Sequence, residues 1–321
     1  MVERICFMTP TFAGDFERFV LLRESIMLFG GSQVRHYALV DTEDEAALRA
    51  LNLPGVVPVT TASLLSPRAE ALRVRYKRGG GRKWKRMQRS LNKRFGWFEH
   101  ARYYGWQIQQ VLKLQAPTVL PEDVFVSFDS DIVVAAPIDT SQFVRDESVV
   151  LYESQRKLEA GKKPHKWLVT ACRLLGVPVP EKAGDTTYDY VAQPFVFDKR
   201  RCVALQNWLN EKCRRPWHES LFALTLGAWS EFMIYGLFVR TQLGFDGIFL
   251  EVANENNVWI RTEAQRRNAK DIIRRVFDDP SKRYLVLQAD HHERWPVSRF
   301  RDIVRAELAR ATGARDALRG R

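Results

Sequence analysis

The sequence predicts an α/β protein with a mixed, mainly parallel sheet flanked by helices in a single domain. Three observations lead there. Strand-like apolar runs alternate with helix-like periodicity from the N-terminus onward, as in a parallel sheet with crossover helices. The 321 residues are 45% apolar, enough for the core of one large domain. The apolar run from Val124 to Val134 is broken by two acids, Asp129 and Asp131, where a buried strand of such a sheet would end.

Taken in order, Arg4 to Thr9 reads as the first strand, and Pro10 is expected to end it. Phe16 to Phe29 has helical periodicity, closed by Gly30 and Gly31. His36 to Val40 is a short strand ending at Asp41; Glu43 to Leu51 is a helix with acids in its first turn; Val56 to Val59 is another strand. Open α/β sheets bind ligands at the carboxyl ends of their strands, so Thr9, Thr11 and Asp41 suit contacts to a nucleotide's base and ribose. They equally suit ordinary strand-end loops. Neither GxGxxG nor GxxxxGK[ST] occurs, which excludes those phosphate-binding fingerprints.

Charge is concentrated. Residues 68–94 carry twelve Lys or Arg and one acid, a net +11 of the chain's +12. Beyond the glycines 79–81, Trp84, Met87, Leu91, Phe95 and Phe98 recur at helical spacing, with Lys85, Arg86, Arg89, Lys93 and Arg94 around them. A basic amphipathic helix with aromatic anchors suits an anionic membrane surface, here through residues 68–98. The alternative is a helix docked on the domain with a solvated basic face. No nucleic-acid module is recognisable, so no specific nucleic acid is expected.

Trp106 to Leu114 is a helix, with breaks at Pro117 and Pro121 before the central strand. Asp146 to Glu153 is a strand, 154–165 a Lys-rich loop, Trp167 to Leu175 a helix, and Gly184 to Tyr190 a polar loop feeding a strand from Val191 to Phe197. Lys199 to Cys213 is a helix. Ser230 is a natural N-cap, which puts Glu231 in a first helical turn and Tyr235 one turn on. Tyr284 to Gln288 is the last strand, and a basic helix and tail follow from 299. Cys6, Cys172, Cys202 and Cys213 show no CxxC spacing and read as reduced thiols of a cytoplasmic protein. No run of about 18 apolar residues suits a membrane span. The N-terminus enters a strand directly, without signal-peptide character.

The chemistry centres on Asp129 and Asp131. Strand residues two apart share a face, so both carboxylates are expected to aim at one ligand. A divalent ion is the simplest neutraliser of two such acids. An acidic turn between strands is the plainer alternative. The stretch Phe128-Asp-Ser-Asp-Ile-Val-Val resembles the DxD motif of GT-A fold glycosyltransferases. Met8-Thr-Pro-Thr, the run from Gly105 to Leu114, Gln193-Pro-Phe-Val-Phe and Trp229-Ser-Glu-Phe-Met-Ile-Tyr-Gly are similar, in order, to a little-characterised bacterial family of such proteins, over about residues 5–295.

The resemblance implies a GT-A-like domain over 1–298, with a nucleotide-binding half to about 135, an acceptor half beyond, a basic insertion at about 66–98 and a C-terminal helix and tail at 299–321. It implies Mn²⁺ or Mg²⁺ on Asp129 and Asp131, with His291 or His292 as third ligand, and a nucleotide-sugar diphosphate reached through the metal and Lys113. Glu231 is then the general base, and Asp185, Asp189, Gln193 and Tyr235 line the acceptor site. The implied activity moves a sugar from the nucleotide-sugar to a saccharide or lipid-linked saccharide in bacterial surface polysaccharide synthesis, with inversion favoured, on the inner membrane face. The alternatives are a nucleotidyl or phosphoryl transferase on a similar sheet, or a non-catalytic basic surface-binding protein.

Overall fold

The computed structural model describes residues 4–95, 97–287 and 295–319. The alternation at the N-terminus is present: β1 (Ile5–Thr11), α1 (Phe16–Leu28), β2 (His36–Val40), α2 (Glu45–Ala50) and β3 (Val56–Thr60). β1 and β2 pair in parallel, from Phe7 opposite His36 to Thr11 opposite Val40. Pro10 does not end β1; it stays in register opposite Leu39. Proline lacks only an N–H, so a strand carries it wherever that donor is not needed by the ladder.

Three helices follow, α3 (Thr61–Leu64), α4 (Pro67–Arg78) and α5 (Arg82–Phe95). α4 begins as its sequence requires, with Pro67 in its first turn and the Ser66 hydroxyl accepting from the Ala69 N–H. α6 (Gly105–Val119) runs through Pro117, where a break was expected. The proline falls in the last turn, so the helix loses one backbone bond near its end, and the Leu120 N–H still reaches the Ala116 carbonyl.

The central stretch is two strands, not one. β4 (Val124–Ser127) stops before Phe128, and β5 (Ile132–Val134) begins after a turn closed by the Ile132 N–H on the Asp129 carbonyl. Asp129 and Asp131 are therefore turn residues, and strand alternation does not govern their directions. The pairing explains the break: β4 is antiparallel to β9 (Phe195–Asp198), whereas β5 is antiparallel to β12 (Tyr284–Val286). Between them in sequence lie β6 (Val144–Arg145), β7 (Ser148–Lys157), α7 (Lys166–Leu175) and β8 (Thr186–Asp189). The ends read as polar loops, 154–157 and 186–189, pair with each other from Ser154–Asp189 to Lys157–Thr186. A ladder near the surface needs no apolar alternation, so its composition hides it.

The rest of the chain adds α8 (Lys199–Cys213), α9 (Trp217–Ala223), α10 (Glu231–Phe238), β10 (Ile248–Val252), β11 (Asn257–Trp259), α11 (Glu263–Arg267), α12 (Ala269–Asp278) and α13 (Arg301–Arg319). β10 is parallel to β7, and β11 is parallel to β12. The architecture is the mixed α/β fold that the alternation predicts. Among the described residues no helix is long and apolar enough to cross a membrane.

The residues gather into two compact units, each built from separate stretches. The first is Met1–Ile5, Val59–Ser127 and Val144–Ala253; the second is Cys6–Pro58, Phe128–Phe143 and Asn254–Arg321. The first packs β9 against α10, with Phe195 stacked on Phe232 at 4.5 Å and Tyr235 edge-on to Phe197. The second packs Phe7 edge-on to Phe128 at 5.4 Å and to Phe143. Stacked and edge-to-face pairs are the preferred aromatic geometries, each adding about 0.5–1.5 kcal/mol beyond area burial.

In the first unit the Tyr190 ring lies directly on the α-carbon of Gly236, and a methyl group there would overlap it. Tyr190 cannot yield, because its hydroxyl donates to Glu153 at 2.6 Å and accepts from Arg240 at 3.0 Å. Gly236→Ala is therefore expected to destabilise the protein by about 1–3 kcal/mol through overpacking. Urea unfolding reads this as a lower midpoint at unchanged slope; a midpoint equal to wild type would refute the packing.

Candidate functional site

In the second unit, the turn carrying the two acids is tied down by its backbone. The Phe128 N–H donates to the Met8 carbonyl at 3.0 Å, and the Leu287 N–H donates to the Asp131 carbonyl at 2.9 Å. Asp129 and Asp131 are partly buried on it. The Asp131 carboxyl is pushed up to about 7, first by burial and then by the Asp129 carboxylate; Asp15 adds to the rise and the Arg18 guanidinium opposes it. Arg18 is buried, 3.6 Å from Asp15, and donates to the backbone carbonyls of Leu287 and Trp295.

Carboxylates crowded in this way are what a divalent cation relieves, and oxygen donors suit Mn²⁺ or Mg²⁺. Asp129 and Asp131 fit that ion in kind. Among the described residues no three acid, histidine or cysteine side chains close on one point. His291 and His292 lie outside the described residues. Sequence reasoning missed Asp15 and Arg18. The available signal was their position just past β1, on the carboxyl-end side of a parallel pair.

The neighbouring strand ends divide. Thr11 closes β1 opposite Val40, and its buried hydroxyl has no partner among the described residues. Asp41 follows β2 directly, so both stand at one carboxyl edge. Thr9 is fully buried and shares a 2.9 Å hydrogen bond with His36 Nε2. Burial first, and Arg23 second, lower the His36 pKa to about 3, so its ring is a neutral core partner. Thr9 thus serves the core rather than the ligand edge.

In the first unit, α6 presents Trp106, Gln110 and Lys113 along one stripe, at positions i, i+4 and i+7. Two of the three converge on the start of α10. Gln110 Oε1 accepts from the Glu231 N–H at 3.2 Å, and Lys113 Nζ lies 3.0 Å from Glu231 Oε1. Lys113 also stands 4.5 Å above the Phe232 ring. Lys113 and Glu231 are only 5% and 3% exposed. The expected cap is altered: Ser230 holds the N-cap position, but its hydroxyl makes no cap bond and lies 3.4 Å from Glu231 Oε2. The Gln110 side chain serves the backbone donor instead.

The expected acceptor residues each have local or core partners. Asp185 accepts from the Glu181 and Lys182 N–H groups, which hold its carboxyl below the usual range and commit it to its own loop. Asp189 ends β8 and accepts from the Val191 N–H. Gln193 is buried ahead of β9. The Tyr235 hydroxyl accepts from the Asp198 N–H at 3.0 Å inside the core.

A protein-family model described as a family of unknown function (DUF6492) matches residues 5–304. No curated protein matches the chain. Among solved structures it is similar to mouse xyloside xylosyltransferase 1 in its apo form, at 9% identity and a TM-score of 0.42, over 88% of this chain and 97% of that one. Core-mannan synthase A from Aspergillus fumigatus in an Mn/GDP form gives 9% identity and 0.46, over 77% and 72%. The galactosyltransferase LgtC with donor and acceptor sugar analogues gives 12% and 0.43, over 94% and 95%.

The Lys113–Glu231 pair makes a stability prediction. Lys113→Met leaves a buried carboxylate without its cation, which should cost about 3–5 kcal/mol. Adding Glu231→Leu removes the orphaned charge and should restore most of the loss. Urea unfolding of both variants decides; a Lys113→Met variant within about 1 kcal/mol of wild type would show that the pair is not desolvated.

Proposed function

The chain belongs to DUF6492, a family of unknown function, so its activity has to be read from its site, and we propose that it is a metal-dependent glycosyltransferase. It would move a sugar from a nucleotide-sugar to a saccharide or lipid-linked saccharide acceptor. The observation that carries the proposal is the crowded acid pair: Asp129 and Asp131 on one anchored turn, with the Asp131 carboxyl raised by burial and by its neighbour. Thr11 and Asp41 at the carboxyl edge of β1 and β2 support it, as does the DxD resemblance.

Asp129 and Asp131 would hold Mn²⁺ or Mg²⁺, which when bound supplies positive charge to a leaving diphosphate. Thr11 and Asp41 contact the base and ribose. Glu231 takes the proton of the acceptor hydroxyl as its oxygen bonds to the anomeric carbon and the bond to the diphosphate breaks. Lys113 and Gln110 orient Glu231 through the contacts described. Attack opposite the leaving group inverts the anomeric centre.

Asp129→Ala and Asp131→Ala should abolish both transfer and Mn²⁺-dependent heat on titration with UDP or GDP. Glu231→Gln, which keeps shape but cannot take the proton, should lower turnover about 10²-fold or more; because it also leaves buried Lys113 without its counter-charge, turnover is compared under conditions where circular dichroism and nucleotide titration match wild type. Near-native turnover in either Asp variant at saturating Mn²⁺ would end the proposal. Release of pyrophosphate in place of nucleoside diphosphate would make the protein a nucleotidyl transferase.

We propose for the basic stretch a role at the anionic inner face of a membrane. α5 turns Gln88 and Asn92 inward, whereas Trp84, Met87 and Phe95 are 45%, 40% and 48% exposed, and Trp97 just beyond is 67% exposed. Exposed Lys83 and Arg94 flank that stripe. Apolar anchors beside cations match an anionic lipid interface. The protein should cosediment with anionic vesicles at low salt and be released at high salt. Lys83→Glu with Arg86→Glu and Arg94→Glu should abolish this without affecting nucleotide binding. Wild-type protein left in the supernatant at low salt would sink the assignment.

A further inference from the structure

The first unit also carries a row of aromatic rings that no step above uses. Trp106 near the start of α6 stacks on Trp167 of α7, with centroids 6.0 Å apart and planes at 27°. Tyr104, just ahead of α6, stacks on Trp106 at 6.4 Å and 29°. Rings with centroids 6.0 and 6.4 Å apart do not overlap fully. All three are partly exposed.

The row is held in place. The Trp167 indole N–H donates to the Gly227 carbonyl at 3.1 Å. Gly227 has φ +70°, a left-handed value that glycine adopts without strain. The Arg89 guanidinium covers Tyr104 at 5.2 Å. Polar groups stand at the far end: exposed His165 meets Trp167 edge-on at 4.6 Å, and the Asp189 carboxylate is near enough to act on His165. At the near end, Trp106 is one helical turn from Gln110, whose Oε1 accepts from the Glu231 N–H.

We infer that the Tyr104–Trp106–Trp167 row is a saccharide subsite, on which a neutral pyranose lays its C–H face beside the proposed acceptor end. A sugar ring offers an apolar, weakly positive C–H face and a hydroxyl rim. Aromatic faces are negative and take the first; His165 and Asp189 offer donors and acceptors to the second. A nucleobase also stacks on aromatic rings, but a flat heterocycle does not need a hydroxyl-binding rim. The inference deepens the glycosyltransferase reading by giving the acceptor's class a surface, and it rests on that reading for the name acceptor.

Saturation-transfer NMR on the full chain with lactose, cellobiose and maltose tests it. At least one disaccharide should bind saturably, and Trp106→Ala and Trp167→Ala should each weaken it about tenfold or more. Trp106→Phe, which keeps a ring, should retain binding. Circular dichroism and UDP or GDP titration with Mn²⁺ should match wild type in every variant. The inference is overturned if no disaccharide binds wild type, if the alanine variants bind as wild type does, or if uridine displaces the sugar. Disaccharide binding without any nucleotide binding would remove the donor reading and leave the subsite standing.

Discussion

A buried lysine–glutamate contact organises the first unit. Taking two charges out of water costs several kcal/mol per ion, and attraction repays that only when geometry is good and further hydrogen bonds are present. Lys113 and Glu231 meet at 3.0 Å with the Phe232 ring beneath the ammonium, Gln110 on the Glu231 backbone and Ser230 near its second oxygen. Each partner therefore fixes where α6 stands against α10. Equal-volume apolar residues could fill such a core at no loss.

The second unit faces the opposite electrostatic condition. Its acids crowd one another: Asp129 and Asp15 push the Asp131 carboxyl upward, and Arg18, engaged with Asp15 and two carbonyls, opposes them. The backbone bonds that anchor the turn hold the two Cα positions close together. The chain reaches that geometry because β4 and β5 serve different partner strands and a turn has to lie between them.

Much of the fold was legible because it is local. β2 and α8 fall at the residues their apolar spacing marks, His36–Val40 and Lys199–Cys213. The acid pair was legible too, since two carboxylates in an apolar run need a reason. What was hidden depends on partners distant in sequence. Apolar content on both sides of Asp129–Asp131 disguised the change of strand. The β7–β8 ladder looked like loop because its residues are polar. The i, i+4, i+7 spacing of Trp106, Gln110 and Lys113 shows that they share a stripe, but not that Glu231 lies under it. Asp185 and Tyr235 suit an acceptor site by residue type, but sequence does not show that each accepts from backbone N–H groups.

α5 shows a conflict that periodicity alone does not resolve. Trp84, Met87, Leu91 and Phe95 form one stripe and Gln88 with Asn92 the next, and either could face the protein. The structure buries the amides, and the Gln88 Oε1 and Asn92 Oδ1 atoms have no partner among the described residues. That arrangement costs twice: once for desolvated carbonyls, and once for apolar area left in water at about 25 cal/mol per Å². Inward contacts made by the same side of the helix offset part of it, with Lys85 donating to the Lys77 carbonyl and standing over Tyr76, and Arg89 covering Tyr104. The aromatic stripe is then left outward, between cations that solvent already stabilises. A surface that covered this stripe while answering its charge would recover the apolar term without disturbing the inward contacts.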